Sequence, residues 1–279
     1  MKTLVSAEAL LAQVLAGAAP VIVETSFDLA DVEAGQRGWQ AAHLPGAVYL
    51  HLDHDLSGPK TGRNGRHPLP SRAAFAATLG RIGVTPARSV VALDRQGGVY
   101  AARLWWMLRW IGHADAAVLD GGVAAWTRAG GALVGADVQP IAVAPYPERP
   151  ALTTQVDGDA LARPAAHVRI VDARAGERFR GEVEPLDAVA GHIPGASNRF
   201  HRLNLETDGR FKPAARLRQE FEAMLGEGGP AAIVHQCGSG VTACHNLLAM
   251  AHAGLEGSAL YPGSWSEWSA DPSRPIAKG

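Results

Sequence analysis

Six consecutive residues, Cys237-Gly-Ser-Gly-Val-Thr242, stand between a short apolar run, Ala231 to Val234, and a stretch from Val241 to His252 that places Leu247, Leu248 and Ala251 on one helical face. Apolar runs of these two kinds read as a buried strand followed by a helix. The residue at the turn is a cysteine, and the chemistry open to it is nucleophilic. Gly238 and Gly240 have no Cβ, so the backbone is expected to curl through positive φ and aim the amides of Gly238, Gly240, Val241 and Thr242 at one centre. That centre is the Cys237 sulfur. A thiolate at the start of a helix and inside a ring of N–H donors is favoured over the thiol. A Cys-dependent phosphatase would also need an arginine six residues after the cysteine to hold phosphate, and position 243 is Ala.

The elements that must position this loop occur twice. Val21-Ile-Val-Glu24 is echoed by Arg169-Ile-Val-Asp172, 148 residues later (172 minus 24). Ala42-His-Leu-Pro-Gly46 returns as Gly191-His-Ile-Pro-Gly195, and Leu119-Asp-Gly-Gly122 with Trp126 returns as Tyr261-Pro-Gly-Ser264 with Trp268. The run Val90-Val-Ala-Leu-Asp94 matches the strand leading to Cys237. Offsets of this size mean duplicated domains, not a solenoid. In each copy short apolar runs alternate with helical stretches: Ser71 to Gly83 and Val99 to Ile111, then Pro213 to Gly226 and Val241 to His252. Alternation predicts an α/β fold, a mostly parallel sheet with helices on both faces and ligands beyond the carboxyl ends of the strands. Domains are expected at 1–140 and 151–279, joined by a proline-rich linker over 141–150. The first copy has Asp94 where the second has Cys237, so it is expected to be catalytically silent.

The 279 residues suffice for two cores; 47% are hydrophobic and 19% charged, with a net charge of -1. That balance points to no nucleic-acid or membrane partner. Lysine accounts for only four of the 26 basic residues, so an anion site would be built from arginine, which meets a carboxylate through two parallel hydrogen bonds. Cys237 and Cys244 form no metal or disulfide pattern, and this usage suits a reducing compartment, expected to be the cytoplasm. Cys244 reads as a helix packing residue, and Trp105, Trp106 and Trp110 as a helix face in the first core. Met1 to Leu15 has a faint signal-peptide pattern, but Glu8 and Gln13 interrupt the apolar run and the stretch is read as a structural helix.

The Cys-Gly-Ser-Gly-Val-Thr loop, the paired His-x-Pro-Gly-Ala turns and the Pro262-Gly-Ser-Trp-Ser-Glu-Trp268 stretch resemble the tandem-domain rhodanese family, and the loop resembles its mercaptopyruvate branch. The resemblance spans nearly the whole chain and implies two rhodanese-like domains. It implies a sulfurtransferase that accepts sulfane sulfur from 3-mercaptopyruvate as a Cys237 persulfide, releases pyruvate, and passes the sulfur to a thiol acceptor, a thioredoxin-like protein or a low-molecular-weight thiol, or to cyanide. Gly176-Glu-Arg178-Phe-Arg180-Gly181 matches the family's substrate-arginine region, which implies anion binding by Arg178 and, as its neighbour, Arg180. A relay of Ser239 with His67 and Asp53 is implied for protonating the leaving enolate, a task suited to a group titrating near neutrality. No pair between His51 and His67 has helical metal-ligand spacing, so neither metal nor cofactor is expected.

One position departs from the pattern. Where the mercaptopyruvate branch commonly has a second arginine after Glu-Pro, this chain reads Glu184-Pro-Leu186-Asp187. Leu186 cannot pair with a carboxylate, and Arg174, Arg199 and Arg202 are the candidates to compensate. Two other functions stay open: a thiosulfate sulfurtransferase, against which the cation-free loop argues because sulfite leaves as a dianion, and a persulfide carrier or interaction module without turnover.

Overall fold

Val21–Glu24, Val90–Leu93 and Ala116–Leu119 are buried along their whole length, as strands covered on both faces must be. In the computed structural model, which describes residues 3–135, 138–226 and 228–279, they are the central strands of the first of two compact units. That unit runs β1 (Leu4–Val5), α1 (Ala7–Leu15), β2 (Val21–Glu24), α2 (Ala34–Ala41), β3 (Val48–Tyr49), α3 (Arg72–Arg81), β4 (Val90–Leu93), α4 (Val99–Trp110), β5 (Ala116–Leu119) and α5 (Gly122–Arg128). Its sheet has the order β1-β5-β4-β2-β3, and every pairing is parallel.

The second unit repeats this plan with β6 (Thr154–Gln155), α6 (Gly158–Ala162), β7 (Arg169–Asp172), α7 (Gly176–Phe179), β8 (Ser197–Asn198), α8 (Ala214–Glu222), β9 (Ile233–Gln236), α9 (Thr242–His252), β10 (Ala259–Leu260) and α10 (Ser264–Trp268). The order is β6-β10-β9-β7-β8, again with parallel pairings. In the second unit α8 packs against α9 and α6 against α10, and in the first unit α1 packs against α5, as right-handed crossovers in this strand order require. The strand order reverses between β7 and β9. In sheets of this kind the crevice for a ligand opens at such a point, and the residues that leave these two strand ends are Ala173 and Cys237.

The duplication extends to details. His43 exchanges backbone hydrogen bonds with Val134, and its ring stacks on Trp39 at 4.8 Å. His192 does the same with Ala277, stacking on Phe179 at 3.9 Å. Their Nδ1 atoms face the Trp39 and Phe179 carbonyls, so both histidines serve the turn.

The units are not uninterrupted halves of the chain. Pro59–Leu69 belongs to the second unit and Leu205–Phe211 to the first. Residues 138–150 carry no helix or strand, yet they are tied to the first unit: the Val143 and Tyr146 amides donate to the Gly80 and Ala76 carbonyls. Trp105, Trp106 and Trp110 lie buried on α4, in the core. Of the N-terminal stretch, Met1 and Lys2 lie outside the described residues, and Ala7–Leu15 is the helix α1, capped by Ser6. The strand expected at Ala231 to Val234 is β9, two residues further on, because Pro230–Ala232 forms a 3-10 turn after Gly229. Its end was hidden by two polar residues, His235 and Gln236, that are completely buried.

Burial lowers the pKa of His235 to about 3, helped by Arg199, and that of His201 to about 4, with Arg202 adding to the effect and the Ala173 carbonyl opposing it. Both rings are neutral in the fold, so below about pH 6.5 the unfolded chain binds the protons first. Stability is therefore fully present above that pH and falls toward pH 4, by about 1.4 kcal/mol per pH unit for each histidine. Urea midpoints measured from pH 7 to 4 are expected to drop accordingly, and His201→Asn should flatten the slope. A flat profile in the wild type would contradict the buried neutral state.

Candidate active site

Cys237 is 2% exposed and follows β9 directly. Its backbone is clamped by the start of α10. The Cys237 amide donates to Ser264 Oγ (3.1 Å), whose own hydroxyl donates to the Tyr261 carbonyl (2.9 Å). The Cys237 and Gly238 carbonyls accept from the Trp265 and Ser266 amides at 3.0 and 2.9 Å. Ser264 holds a left-handed φ of 54°, and its counterpart in the first unit, Gly122, has φ 55°. The repeated Gly-Gly and Gly-Ser stretch thus fixes the loop that carries the cysteine, a role that pattern matching alone did not assign to Ser264.

The two glycines of the loop do different things. Gly240 has φ 73°, as expected, and a Cβ there would lie 2.3 Å from the Pro262 carbonyl oxygen. Gly238 does not adopt positive φ. Its missing side chain serves space instead: a Cβ would sit 2.9 Å from Arg66 Nη2 and 3.6 Å from Arg178 Nη2. Two guanidinium groups therefore converge on the residue after the nucleophile. Val241 is buried at the mouth of α9, which starts at Thr242, one residue later than the sequence suggested.

The first unit shows what a loop of this shape binds. Asp94 occupies the cysteine's position, and Gly97, three residues on, has φ 75°, matching Gly240. The Asp94 carboxylate accepts from the amides of Gln96 (2.9 Å), Gly98 (2.8 Å), Tyr100 (2.8 Å) and Ala101 (3.0 Å). A strand, a left-handed glycine and a helix start make an anion cradle. In one copy the anion is a fixed carboxylate; in the other the residue at that place is a cysteine.

Ser239 Oγ lies 2.7 Å from His67 Nδ1, and both residues are buried. Arg178, on α7 after β7, donates from Nη2 to Glu184 Oε1 (2.6 Å), from Nε to Glu184 Oε2 (3.2 Å) and from Nη2 to Asp187 Oδ2 (3.4 Å). Arg66 Nη1 donates to Asp187 Oδ1 at 2.5 Å. Burial pushes the Asp187 carboxyl up despite the pull of Arg66 and Arg178. Burial also raises Glu184, but the hydrogen bond and charge of Arg178 outweigh it and hold that carboxyl down.

Not every residue singled out from the sequence joins this group. Arg180 is exposed and paired through Nε and Nη2 with Glu182 at 2.7 and 2.9 Å. Arg174 is buried in hydrogen bonds to Asp172, Glu184 and the Gly191 carbonyl. Arg199 is buried against Asn204 and Glu220, and Arg202 is exposed. The His-rich segment does gather potential metal ligands, Glu33, His51 and His54, within 4.8 Å. Both His51 ring nitrogens are engaged, however, Nδ1 by the Asp53 amide and Nε2 by the Val32 carbonyl at 3.0 Å. Among the described residues no helix is long and apolar enough to cross a membrane.

Each unit is a five-stranded parallel sheet of one strand order, and the second has a cysteine loop at its switch point. The sequence profile of the rhodanese-like domain matches residues 10–129 and 158–271, and the chain belongs to that family. It is 44% identical, over 98% of its length and 99% of the relative's, to a probable 3-mercaptopyruvate sulfurtransferase of Pseudomonas aeruginosa. It is 39% identical, over 100% of its length and 98% of the relative's, to a putative thiosulfate sulfurtransferase of Mycobacterium tuberculosis. A solved structure of the 3-mercaptopyruvate sulfurtransferase from Leishmania major superposes with a TM-score of 0.85 at 30% identity, covering 96% of this chain and 74% of that one.

Proposed function

We propose that the protein is a sulfurtransferase that takes sulfane sulfur from 3-mercaptopyruvate through a Cys237 persulfide. The observation that carries the choice of donor is the Ser239–His67 hydrogen bond of 2.7 Å beside the cysteine loop. The Cys237 thiolate attacks the donor sulfur; an S–S bond forms, the C–S bond breaks, and its electron pair goes to the carbon as the enolate of pyruvate. The donor's thiol proton ends on that carbon, giving pyruvate, and Ser239 with His67 carries it. The persulfide is left as an anion in the loop. A thiolate acceptor, on a small thiol or a thioredoxin-like protein in the cytoplasm, then attacks the outer sulfur and restores Cys237. Asp94 leaves the first unit without a nucleophile, and we assign that copy no transfer step.

Thiosulfate is the second reading. The two guanidinium groups at Gly238 favour it, since they supply from outside the loop the cations that the loop itself lacks. Sulfite as leaving group needs no proton on carbon, so the readings separate on His67. Steady-state turnover with each donor is expected to show a kcat/KM at least tenfold higher for 3-mercaptopyruvate, about 1.4 kcal/mol of transition-state discrimination. His67→Ala should lower kcat with 3-mercaptopyruvate by 10²-fold or more, the usual worth of a positioned proton carrier, at roughly that order, and with thiosulfate far less. Equal losses, or a preference for thiosulfate, would overturn the choice of donor.

A further inference from the structure

Leu186 leaves the site one arginine short of what binding a donor carboxylate between two guanidinium groups requires, and the structure shows where the second comes from. Arg66 reaches the loop from the segment Pro59–Leu69, which is part of the same compact unit as Cys237. We infer that Arg66 is the second donor-carboxylate residue, acting with Arg178 over Gly238; this rests on the mercaptopyruvate reading above.

Four observations support it. The space that Gly238 leaves by having no side chain is approached by Arg66 Nη2 and by Arg178 Nη2 and Nη1, at 2.9, 3.6 and 3.7 Å from the Cβ position. Both side chains are held in place. Arg66 is anchored through its amide to Ser266 Oγ (2.9 Å) and through Nη1 to Asp187, while Arg178 is held by Glu184. Arg66 still has donor capacity, because its buried Nε has no hydrogen-bond partner among the described residues. A buried guanidinium with an idle N–H is poorly satisfied until an acceptor arrives. Finally, of the other candidates Arg174 is committed to Asp172 and Glu184 and Arg199 to Asn204 and Glu220, while Arg202 is exposed. The loss of arginine at 186 is thus offset by one at 66, beside the His67 that holds Ser239. A carboxylate bridging Arg66 and Arg178 would lie against Gly238, one residue from Cys237. Asp187, 7% exposed and touching both guanidinium groups, keeps the pair together when no donor is bound.

The test is the KM and kcat for 3-mercaptopyruvate, with a dithiol acceptor, of the wild type, Arg66→Met, Arg66→Lys and the double variant Arg66→Met, Leu186→Arg. KM should rise at least tenfold in Arg66→Met, with kcat changed less than threefold. Arg66→Lys, which keeps the charge but loses the fork, should fall between. Adding Leu186→Arg should recover most of the lost affinity, which a merely structural role for Arg66 would not produce. Should Arg66→Met fold poorly, as a lowered melting temperature would reveal, Arg66→Lys decides. An unchanged KM in a well-folded Arg66 variant overturns the inference and leaves the sulfurtransferase reading intact. Failure of the wild type itself to turn over 3-mercaptopyruvate would overturn both.

Discussion

Cys237→Ser is expected to fold normally and to transfer no sulfur from any donor, with turnover at the level of the uncatalysed reaction. The hydrogen bonds that fix the residue use its backbone: the amide to Ser264 Oγ and the carbonyl to the Trp265 amide. A serine hydroxyl fits the same 2% exposed position at nearly the same volume, so melting temperature should shift little. What is lost is the chemistry. An alcohol is a far weaker nucleophile than a thiolate, and it cannot accept a sulfur and release it again. Cys244 cannot stand in. It is fully buried on α9, and its Sγ donates to the Gly240 carbonyl at 3.3 Å. Assay of the variant with 3-mercaptopyruvate and with thiosulfate, beside its thermal melt, checks both halves; residual turnover above background would place the transferred sulfur elsewhere.

Gly240→Ala should be nearly as damaging to activity and should cost stability as well. Two separate effects meet there. At φ 73° a side chain costs about 1 to 3 kcal/mol in backbone conformation. The new Cβ would also stand 2.3 Å from the Pro262 carbonyl oxygen and 3.0 Å from the Pro262 Cα, both backbone atoms that no rotamer change can move. The loop or the start of α10 must shift, and with it the amides that hold Cys237. A displacement of roughly 1 Å in a reacting group costs on the order of 10²-fold in rate, so kcat/KM should fall by at least that much. Gly195→Ala separates the effects: Gly195 has φ 78° but no atom within 4 Å of its Cβ position. Urea midpoints should show a modest loss for Gly195→Ala, with activity kept, and a larger loss for Gly240→Ala with activity gone. Equal behaviour of the two would mean that the fit of Gly240 against Pro262 does not hold the site.

Much of this could be read from the chain. The cysteine between a strand and a helix, the repeated turn and strand motifs, and the parallel α/β plan all rest on local patterns whose physical basis is short in range: apolar periodicity, glycine at a curled loop, histidine before Pro-Gly. The position of Ser239 beside His67 was accessible only through family resemblance, since the two are 172 residues apart. Arg66 has no role that the sequence assigns, because its partners, Asp187 and Gly238, lie 121 and 172 residues away in sequence and nothing local marks the contact (187 minus 66; 238 minus 66). Gly238 was expected to curl like Gly240, and it is instead glycine to make room, a reason that depends on which side chains approach. Strand β9 was placed two residues early for a related cause. His235 and Gln236 are polar yet buried, and hydrophobic patterning cannot detect a strand end of that kind. Segments 59–69 and 205–211, each packed in the unit opposite to its place in the chain order, carry no compositional sign of that exchange.

The most direct measurement is the intact mass of the protein after brief exposure to 3-mercaptopyruvate without an acceptor, with pyruvate measured in the same sample. One added sulfur, about 32 Da, in step with one pyruvate released per chain, lost on adding a thiol and absent in Cys237→Ser, is the predicted result. Pyruvate released with no gain in mass, or a gain that persists in Cys237→Ser, would contradict a persulfide on Cys237.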